Sequence, residues 1–246
     1  MRDYQRIVQC TRDQPRGWRW QVLGEVEGYP LINLSRGRDP RLPTVFVMGG
    51  THGDEPAGVE AALAFLNRDL EGWLPLFNFE VIPCLNPYGY VHNTRHNACE
   101  VDLNWAYESG DMPEIRIFRQ LVQDRRFEFF MDFHEDWESP GYYLYELRRG
   151  APLAGPEITR RVAVVCPLNT SPLIEGHRAH NGCIRLDPAR EEERRGEGIP
   201  LVLYQEHTDH LLTSESPTGL DMERRVQAHL VALEVVFEAH RNGSAA

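Results

Sequence analysis

The stretch VFVMGGTHGDEPAG, residues 45–58, decides how the rest of this sequence is interpreted. It begins with four apolar residues, which is typical of a buried strand, and then breaks into two glycines. His52 and Glu55 follow the glycines, and Pro56 then opens a helical pattern. A strand that ends in a glycine bend, with a histidine and a carboxylate three residues apart, is typical of one half of a metal site. The sequence therefore predicts that residues further along the chain complete this site and perform hydrolytic chemistry there.

The composition is that of a globular protein with a core of its own. The 246 residues are 41% hydrophobic and 26% charged, and this length fits one domain. We interpret residues 1–246 as a single catalytic domain, in which residues 1–40 form an N-terminal lead-in and a hairpin. The net charge of −11 argues against a nucleic-acid partner, because phosphate binding requires clustered Lys and Arg. It favours a neutral or cationic substrate.

The cysteines and the N-terminus predict a cytoplasmic protein. Five cysteines are scattered without a CxxC pair, which is typical of free thiols in a reducing compartment. The N-terminus has no apolar segment of the kind found in signal peptides, and no run reaches the ~20 apolar residues of a membrane span. We therefore expect no membrane partner, and the sequence leaves the oligomeric state open.

Short apolar runs alternate with helical patterns along the chain. The patterns predict strands at 20–26, 29–34, 44–48, 77–85, 127–133, 142–147, 200–206 and 210–214, and helices at 56–68, 113–125, 156–165 and 221–241. Residues 166–198 carry no regular pattern. The alternation predicts an α/β protein, a three-layer α/β/α fold with a central mixed, largely parallel twisted sheet.

Three predicted strands end next to residues that can carry chemistry. His52 and Glu55 follow the first of them, and His134 and Glu215 follow the other two. Ligands gather at the carboxyl ends of strands in open α/β sheets. Two imidazoles and one carboxylate fill three positions of a tetrahedral zinc ion, and a further carboxylate beside it is suited to act as general base. The HxxE pattern alone is weak, because a turn histidine that bonds only to the backbone produces the same spacing.

Four blocks of sequence, in this order, resemble the zinc carboxypeptidase superfamily. That superfamily contains metallocarboxypeptidases and deacylases of the succinylglutamate desuccinylase and aspartoacylase type. The blocks are GTHGDE at 50–55, NPYG at 86–89 with Arg95 and VDLN at 101–104, DFH at 132–134 and TSESP at 213–217. Their ordered combination is far more specific than any single block.

The resemblance implies a role for each matching position. His52, Glu55 and His134 would bind one Zn²⁺ ion, and Glu215 would deprotonate the zinc-bound water. Arg95 would stabilise the oxyanion of the tetrahedral intermediate, and Asn104 would contact the carboxylate of the terminal residue of the substrate.

Two acidic residues, Glu135 and Asp136, come directly after His134. Either of them could orient a ligand histidine from behind, and the alternative is that both are solvated charges on a turn.

One position departs from the superfamily pattern. The superfamily usually has an arginine after the asparagine of VDLN, as the main clamp on the substrate carboxylate, and Trp105 stands here. An indole has one N–H donor and no charge, so it does not replace a bidentate arginine. Either another arginine supplies the clamp or the substrate lacks a free α-carboxylate there, while core packing is a further explanation of Trp105. The candidate arginines are Arg148, Arg149, Arg178 and Arg185.

The sequence thus predicts a zinc-dependent metallocarboxypeptidase-like hydrolase that cleaves an amide bond at the C-terminal end of a small peptide. Trp105 keeps a second interpretation open, deacylation of an N-acyl amino acid. A third interpretation is a non-catalytic zinc or ligand-binding module on the same fold. The position of Glu215 discriminates this module from the two enzymes, since a general base lies beside the metal and is not ion-paired elsewhere.

Overall fold

The structure is a computed structural model, and it describes residues 1–14, 17–150, 152–193 and 199–243. The strands are β1 (Arg19–Val26), β2 (Tyr29–Arg36), β3 (Thr44–Gly49), β4 (Asn78–Ile82), β5 (Phe130–Asp136), β6 (Tyr143–Arg148), β7 (Leu173–Ile174), β8 (His177–Arg178), β9 (Cys183–Arg185) and β10 (His210–Pro217). The helices are α1 (Tyr4–Arg12), α2 (Pro56–Leu66), α3 (Pro87–His92), α4 (Leu103–Ala106), α5 (Pro113–Val122), α6 (Gly155–Val162), α7 (Pro188–Glu193) and α8 (Met222–Gly243).

One eight-stranded sheet runs through the described part of the chain, in the order β1-β2-β4-β3-β5-β10-β6-β9. The four central strands β4, β3, β5 and β10 are mutually parallel, and β1, β2 and β6 pair in antiparallel fashion. One hydrophobic cluster packs α2, α6 and α8 against one face, and a second packs α4 and α5 against the other. The predicted three-layer α/β fold with a mixed, largely parallel sheet is confirmed.

Residues 45–58 form the centre of this sheet and one of its covering helices. Val45 and Val47 of β3 belong to the hydrophobic cluster on one face, whereas Phe46 and Met48 belong to the other. Their alternation explains why the run is apolar throughout: a central parallel strand is buried on both sides. Gly50 then has a φ of +65°, which favours glycine and turns the chain out of the sheet.

A second glycine lets α2 approach the sheet. A Cβ on Gly58 would lie 2.3 Å from the carbonyl oxygen of Phe133 on β5, closer than a carbon atom can approach. The absence of a side chain at Gly58 therefore allows the first turn of α2 to lie directly against the strand that carries His134. This contact brings the chemistry of residues 52–55 next to β5.

The prediction of a strand at 200–206 is wrong. Leu203–His207 forms a π-helical turn, closed by a hydrogen bond of 3.0 Å from the amide of Thr208 to the carbonyl of Leu203. The run is apolar because Leu201, Leu203 and Tyr204 pack into the second hydrophobic cluster. A short buried run of this kind does not distinguish strand from helix by periodicity.

Two other boundaries differ from the prediction in ways that bear on the site. β5 continues to Asp136 and β10 to Pro217, so His134 and Glu215 lie within strands and not after them. Residues 166–198, for which no element was predicted, contain β7, β8, β9 and α7 among their described residues. In the ranges that the structure describes, no helix has both the length and the apolar character that crossing a membrane requires.

Candidate metal centre and substrate pocket

His52, Glu55 and His134 converge at the carboxyl ends of β3 and β5. One ligand atom from each lies within 4.8 Å of the others, and all three side chains are buried. Glu55 occupies the N-cap position of α2 but makes no side-chain cap bond. Its two carboxylate oxygens instead face the histidines, with Oε1 2.7 Å from Nδ1 of His52 and Oε2 2.9 Å from Nδ1 of His134.

The arrangement of these donors fits a divalent metal ion. The Nδ1 atoms of His52 and His134 are only 3.1 Å apart, and both face the same carboxylate. The lone pairs of two such nitrogens and of the carboxylate repel one another at this distance. A proton or a cation between them is therefore required in a buried site. Two imidazoles and one carboxylate are a donor set that suits zinc.

The opposite nitrogen of each histidine is held by an aspartate. Nε2 of His52 lies 3.0 Å from Asp102, and Nε2 of His134 lies 2.9 Å from Asp132. Thr51 donates to the same oxygen of Asp132 at 2.7 Å. Such carboxylates fix the ring orientation and leave Nδ1 as the atom that meets a metal.

The sequence analysis did not predict that Asp102 and Asp132 orient the histidines. Its candidates for that role, Glu135 and Asp136, form hydrogen bonds elsewhere. Glu135 accepts a hydrogen bond from the amide of Ala57 at 2.5 Å and pairs with Arg225. Asp136 accepts from the hydroxyl of Tyr143 at 2.9 Å. The signal for Asp132 was its spacing, since residues two apart on a strand face the same side.

Buried charges set the protonation of the cluster. Burial opposes the charged form of His134, but Asp132 and Glu55 outweigh it and raise the pKa of His134 well above its usual value. The pKa of His52 is also raised, because Glu55 and Asp102 outweigh the opposing effect of burial. Burial acts to raise the pKa of Glu55, yet both histidines together hold it well below its usual range. Before a metal binds, these neighbouring charges therefore favour the protonated form of both histidines.

Glu215 lies beside this cluster. It is the register partner of His134 on the parallel strand β5, it is 9% exposed, and it lines the same pocket. Burial raises the pKa of Glu215 to about 8, with Glu55 adding to the effect and the two histidines opposing it. Among the residues that the structure describes, none donates a hydrogen bond or forms an ion pair with its carboxylate.

Arg95 and Asn104 face the same pocket. Nη1 of Arg95 lies 3.2 Å from Glu55, and its Nε lies 2.9 Å from Asp102. The side chain of Asn86 bonds to the carbonyl of Arg95 at 3.3 Å, which fixes the loop that carries the guanidinium. Oδ1 of Asn104 is buried and has no hydrogen-bond partner.

Trp105 is 52% exposed and lines the pocket, so the interpretation of Trp105 as core packing is wrong. None of the four arginines considered as a replacement clamp lines the pocket. Arg149, for example, pairs with Asp209 on the surface. In the described ranges, Arg95 is the arginine that the pocket contains.

The pocket has a volume of about 570 Å³, which is in the range of small-molecule sites. Its lining is dominated by carboxylates and aromatic rings. The carboxylates are Asp54, Glu55, Glu135, Asp136, Glu138, Glu175, Glu191 and Glu215, and the rings are Trp105, Trp137, Tyr143 and Tyr145.

Comparisons with known proteins agree with this architecture. Residues 41–152 match the family model of the succinylglutamate desuccinylase/aspartoacylase catalytic domain. Carboxypeptidase SOL1 of Arabidopsis thaliana is 26% identical over 171 residues, which are 60% of this chain and 33% of that protein. The chain thus spans about a third of the length of this curated relative.

Two solved structures have the same fold over almost the whole chain. A protein of Shewanella amazonensis assigned as a metallopeptidase has a TM-score of 0.79 at 22% identity, covering 95% of this chain and 91% of the other. A metallo-carboxypeptidase of Pseudomonas aeruginosa, in complex with (2-guanidinoethylmercapto)succinic acid, has a TM-score of 0.69 at 19% identity, covering 95% and 67%.

Proposed function

We propose that this chain, which resembles the zinc-carboxypeptidase-like superfamily in sequence and fold, is a zinc-dependent hydrolase that cleaves an amide bond at the C-terminal end of a small peptide. His52, Glu55 and His134 would hold one zinc ion, and Glu215 would act as general base. The observation that carries the proposal is the position of Glu215. Glu215 pairs in register with His134 on the neighbouring parallel strand and lines the pocket. Among the described residues, its carboxylate has no hydrogen-bond or ion-pair partner.

The free carboxylate of Glu215 argues against a non-catalytic binding module. A structural carboxylate this deeply buried is normally hydrogen-bonded or ion-paired, because an unpaired buried charge is costly. A general base must instead keep its lone pairs available for the proton of the attacking water. Burial raises the pKa of Glu215 to about 8 in the metal-free protein, and a cation bound beside it would lower this pKa and favour the ionised form that accepts a proton.

Each residue of the site would have a separate role in the hydrolysis of the amide bond. A divalent ion at the three ligands would polarise the scissile carbonyl and make a water molecule more acidic. Glu215 would take a proton from the attacking water and deliver it to the leaving nitrogen. Arg95 would donate to the oxygen on which negative charge develops, an effect worth about 3 kcal/mol for one such donor. Asn104 would orient the substrate through its amide group.

Deacylation of an N-acyl amino acid is the second candidate. It is favoured by the match of residues 41–152 to a deacylase catalytic domain and by the replacement of the usual clamp arginine by Trp105. Both reactions cleave an amide and need the same metal and base. They differ in what occupies the acyl side of the bond, a peptide or a small acyl group.

The two candidates separate in one assay of the zinc-loaded protein. N-blocked dipeptides and N-acyl amino acids are supplied side by side, and release of the free amino acid is measured. We expect turnover of the dipeptides and its loss after chelation. Faster turnover of the N-acyl amino acids would favour the deacylase, and no turnover of either class would contradict both. His134→Ala should lose zinc, and full retention of the ion would contradict the ligand assignment.

A further inference from the structure

We propose that the pocket selects a substrate that carries a positively charged side chain, an ammonium or a guanidinium group. This inference rests on the proposed function only for the identity of the bond that is cleaved. The charged group would contact one side of the pocket, which we call the outer wall. The outer wall consists of Trp105, Asp136, Trp137, Glu138, Tyr145 and Glu175.

The carboxylates of the outer wall come from two separate turns that line the same pocket as His52 and Glu55. The first connects β5 to β6; it follows Asp136, the last residue of β5, and carries Trp137 and Glu138. Asp136 is fixed there, because its Oδ1 accepts from the amide of Glu138 at 2.7 Å and its Oδ2 from the hydroxyl of Tyr143 at 2.9 Å. The carboxylate of Asp136 therefore has a fixed orientation in the pocket.

The second turn connects β7 to β8 and brings Glu175 to the same pocket. Glu175 and Gly176 both have a positive φ, 48° and 77°, which makes the turn tight. His177, directly after it, packs edge-on against Tyr145 with ring centroids 5.7 Å apart. This contact attaches the turn to β6, so Glu175 is held in the pocket that the carboxylates of the first turn also line.

The charges of the outer wall are not compensated. In the part of the chain that the structure describes, the side chains of Glu138 and Glu175 have no ion pair or hydrogen bond. Arg95 is already engaged by Glu55 and Asp102. Other exposed carboxylates of this protein do pair with arginines, as in Asp39–Arg41, Glu157–Arg160 and Asp209–Arg126. The negative net charge of the chain therefore does not by itself explain why Glu138 and Glu175 are unpaired. Carboxylates that line one cleft raise the local concentration of cations there.

The aromatic rings add a second feature that favours a cation. Trp105 and Trp137 are 52% and 79% exposed, although large apolar side chains are normally withdrawn from water. An indole face attracts an ammonium or guanidinium group, and a ring beside carboxylates is a common way to bind such groups. Trp105 also stands where the superfamily usually has an arginine. An arginine there would bind an anion, whereas the carboxylates and indole rings of the outer wall attract a cation.

The inner end of the pocket indicates that the carboxylates of the outer wall line a ligand cavity and are not only an acidic patch on the surface. Glu215 lines it, is 9% exposed and has no partner among the described residues. A substrate whose amide bond lies at Glu215 would extend its side chain towards the outer wall, since both belong to one cavity of about 570 Å³.

Binding of three free amino acids tests the inference without requiring turnover. L-lysine, L-norleucine and L-glutamate share their α-groups and differ in side-chain charge, and their affinities for the zinc-loaded protein are measured by calorimetry. We expect lysine to bind about tenfold more tightly than norleucine, with glutamate the weakest. High salt should reduce the advantage of lysine, because the carboxylates of the wall are exposed.

A double variant, Glu138→Gln with Glu175→Gln, identifies the groups responsible. Both side chains are exposed, so the variant is expected to fold, and the advantage of lysine over norleucine should fall to about twofold. Glu25→Gln is the matched control, because Glu25 is exposed on β1 at the far edge of the sheet.

Equal binding of lysine and norleucine, tighter binding of glutamate, or no binding of any of the three at millimolar concentration would overturn the inference. So would a lysine advantage that survives in the double variant. If the protein hydrolyses no amide but still prefers lysine, the proposed function fails and the inference stands. If it hydrolyses amides without a preference for charge, the inference alone fails.

Discussion

Glu215 of β10 and His134 of β5 are direct register partners on adjacent parallel strands. The pairing places a carboxylate without a partner next to a ring nitrogen that faces Glu55 and His52. Residues that are 81 positions apart are therefore joined by the backbone ladder itself, which is more rigid than a loop. The position of the proposed general base relative to the proposed metal ligands is thus fixed by the sheet.

Replacing the proposed base tests its role. Glu215→Gln keeps the size of the side chain and removes its ability to accept a proton. We expect kcat to fall by about 10²–10⁴-fold, while zinc content and melting temperature stay near those of the unmodified protein. Zinc is quantified per chain beside the rate, and Glu25→Gln serves as control. Comparable turnover in Glu215→Gln would remove Glu215 as the base.

The aspartates behind the histidines should control metal affinity. Asp132→Asn preserves the shape of the group that holds Nε2 of His134 but removes its charge. We expect zinc affinity to fall about 10–100-fold, because the carboxylate both orients the ring and raises its basicity. Competition against a chelator of known affinity measures the change.

Asp209→Asn is the control for that experiment, since Asp209 pairs with arginines on the surface. An unchanged affinity in Asp132→Asn would show that the ring is oriented by its surroundings alone.

Metal binding should release protons. The pKa values of His52 and His134 are raised despite burial, so the imidazolium form of both rings is favoured in the metal-free protein. A ligand nitrogen must lose its proton, and we expect about one to two protons to be released per ion at pH 7. Calorimetric titration in buffers of different ionisation enthalpy gives the number. A binding heat that is independent of the buffer would contradict the assignment of both histidines as ligands.

Trp105→Arg should change the substrate preference. The substitution places a guanidinium where the superfamily usually has one, at an exposed position that tolerates it. We expect KM for substrates with a free terminal carboxylate to fall relative to the same substrates with a terminal amide, and zinc affinity to stay unchanged. Trp137→Arg, in the turn between β5 and β6, provides the comparison. The same KM ratio in Trp105→Arg and the unmodified protein would show that the carboxylate does not lie near this residue.

Stability should decrease in acid because of a buried histidine far from the metal cluster. His210 is 1% exposed, and its ring nitrogens lie 2.8 Å from Glu146 and 2.8 Å from His240. Burial lowers the pKa of His210 to about 4, with Glu146 opposing the shift. The unfolded chain therefore binds a proton at His210 more readily than the folded one. The stabilisation is present above about pH 6.5 and is lost as the pH falls towards 4, by up to about 3 kcal/mol.

Chemical denaturation between pH 7 and 4 measures this effect. His210→Gln should show a shallower dependence of the unfolding free energy on pH than the unmodified protein. His96→Gln, at an exposed position, should not. Equal pH dependence in all three proteins would assign the acid sensitivity to other groups.

Much of the fold could be predicted from the sequence, because the central strands are short and apolar and the apolar residues of the helices recur at helical spacing. The hairpin around Glu27 and Gly28, β3 and α8 were predicted close to their observed bounds. The strand predicted at 200–206 was wrong, since Leu203 and Tyr204 are buried on a π-helical turn, and burial alone does not distinguish the two backbones.

The sequence by itself determined which residue types are available for chemistry, since His52 and Glu55 are three positions apart in the chain and the bend before them requires glycine. The tertiary structure decided what lies around them. Asp102 and Asp132 hold the histidines, Trp105 is exposed to the pocket, and the turns that carry Glu138 and Glu175 line that same pocket. These contacts join segments that are distant in the chain, and their distances follow from strand order and packing, which no local pattern encodes.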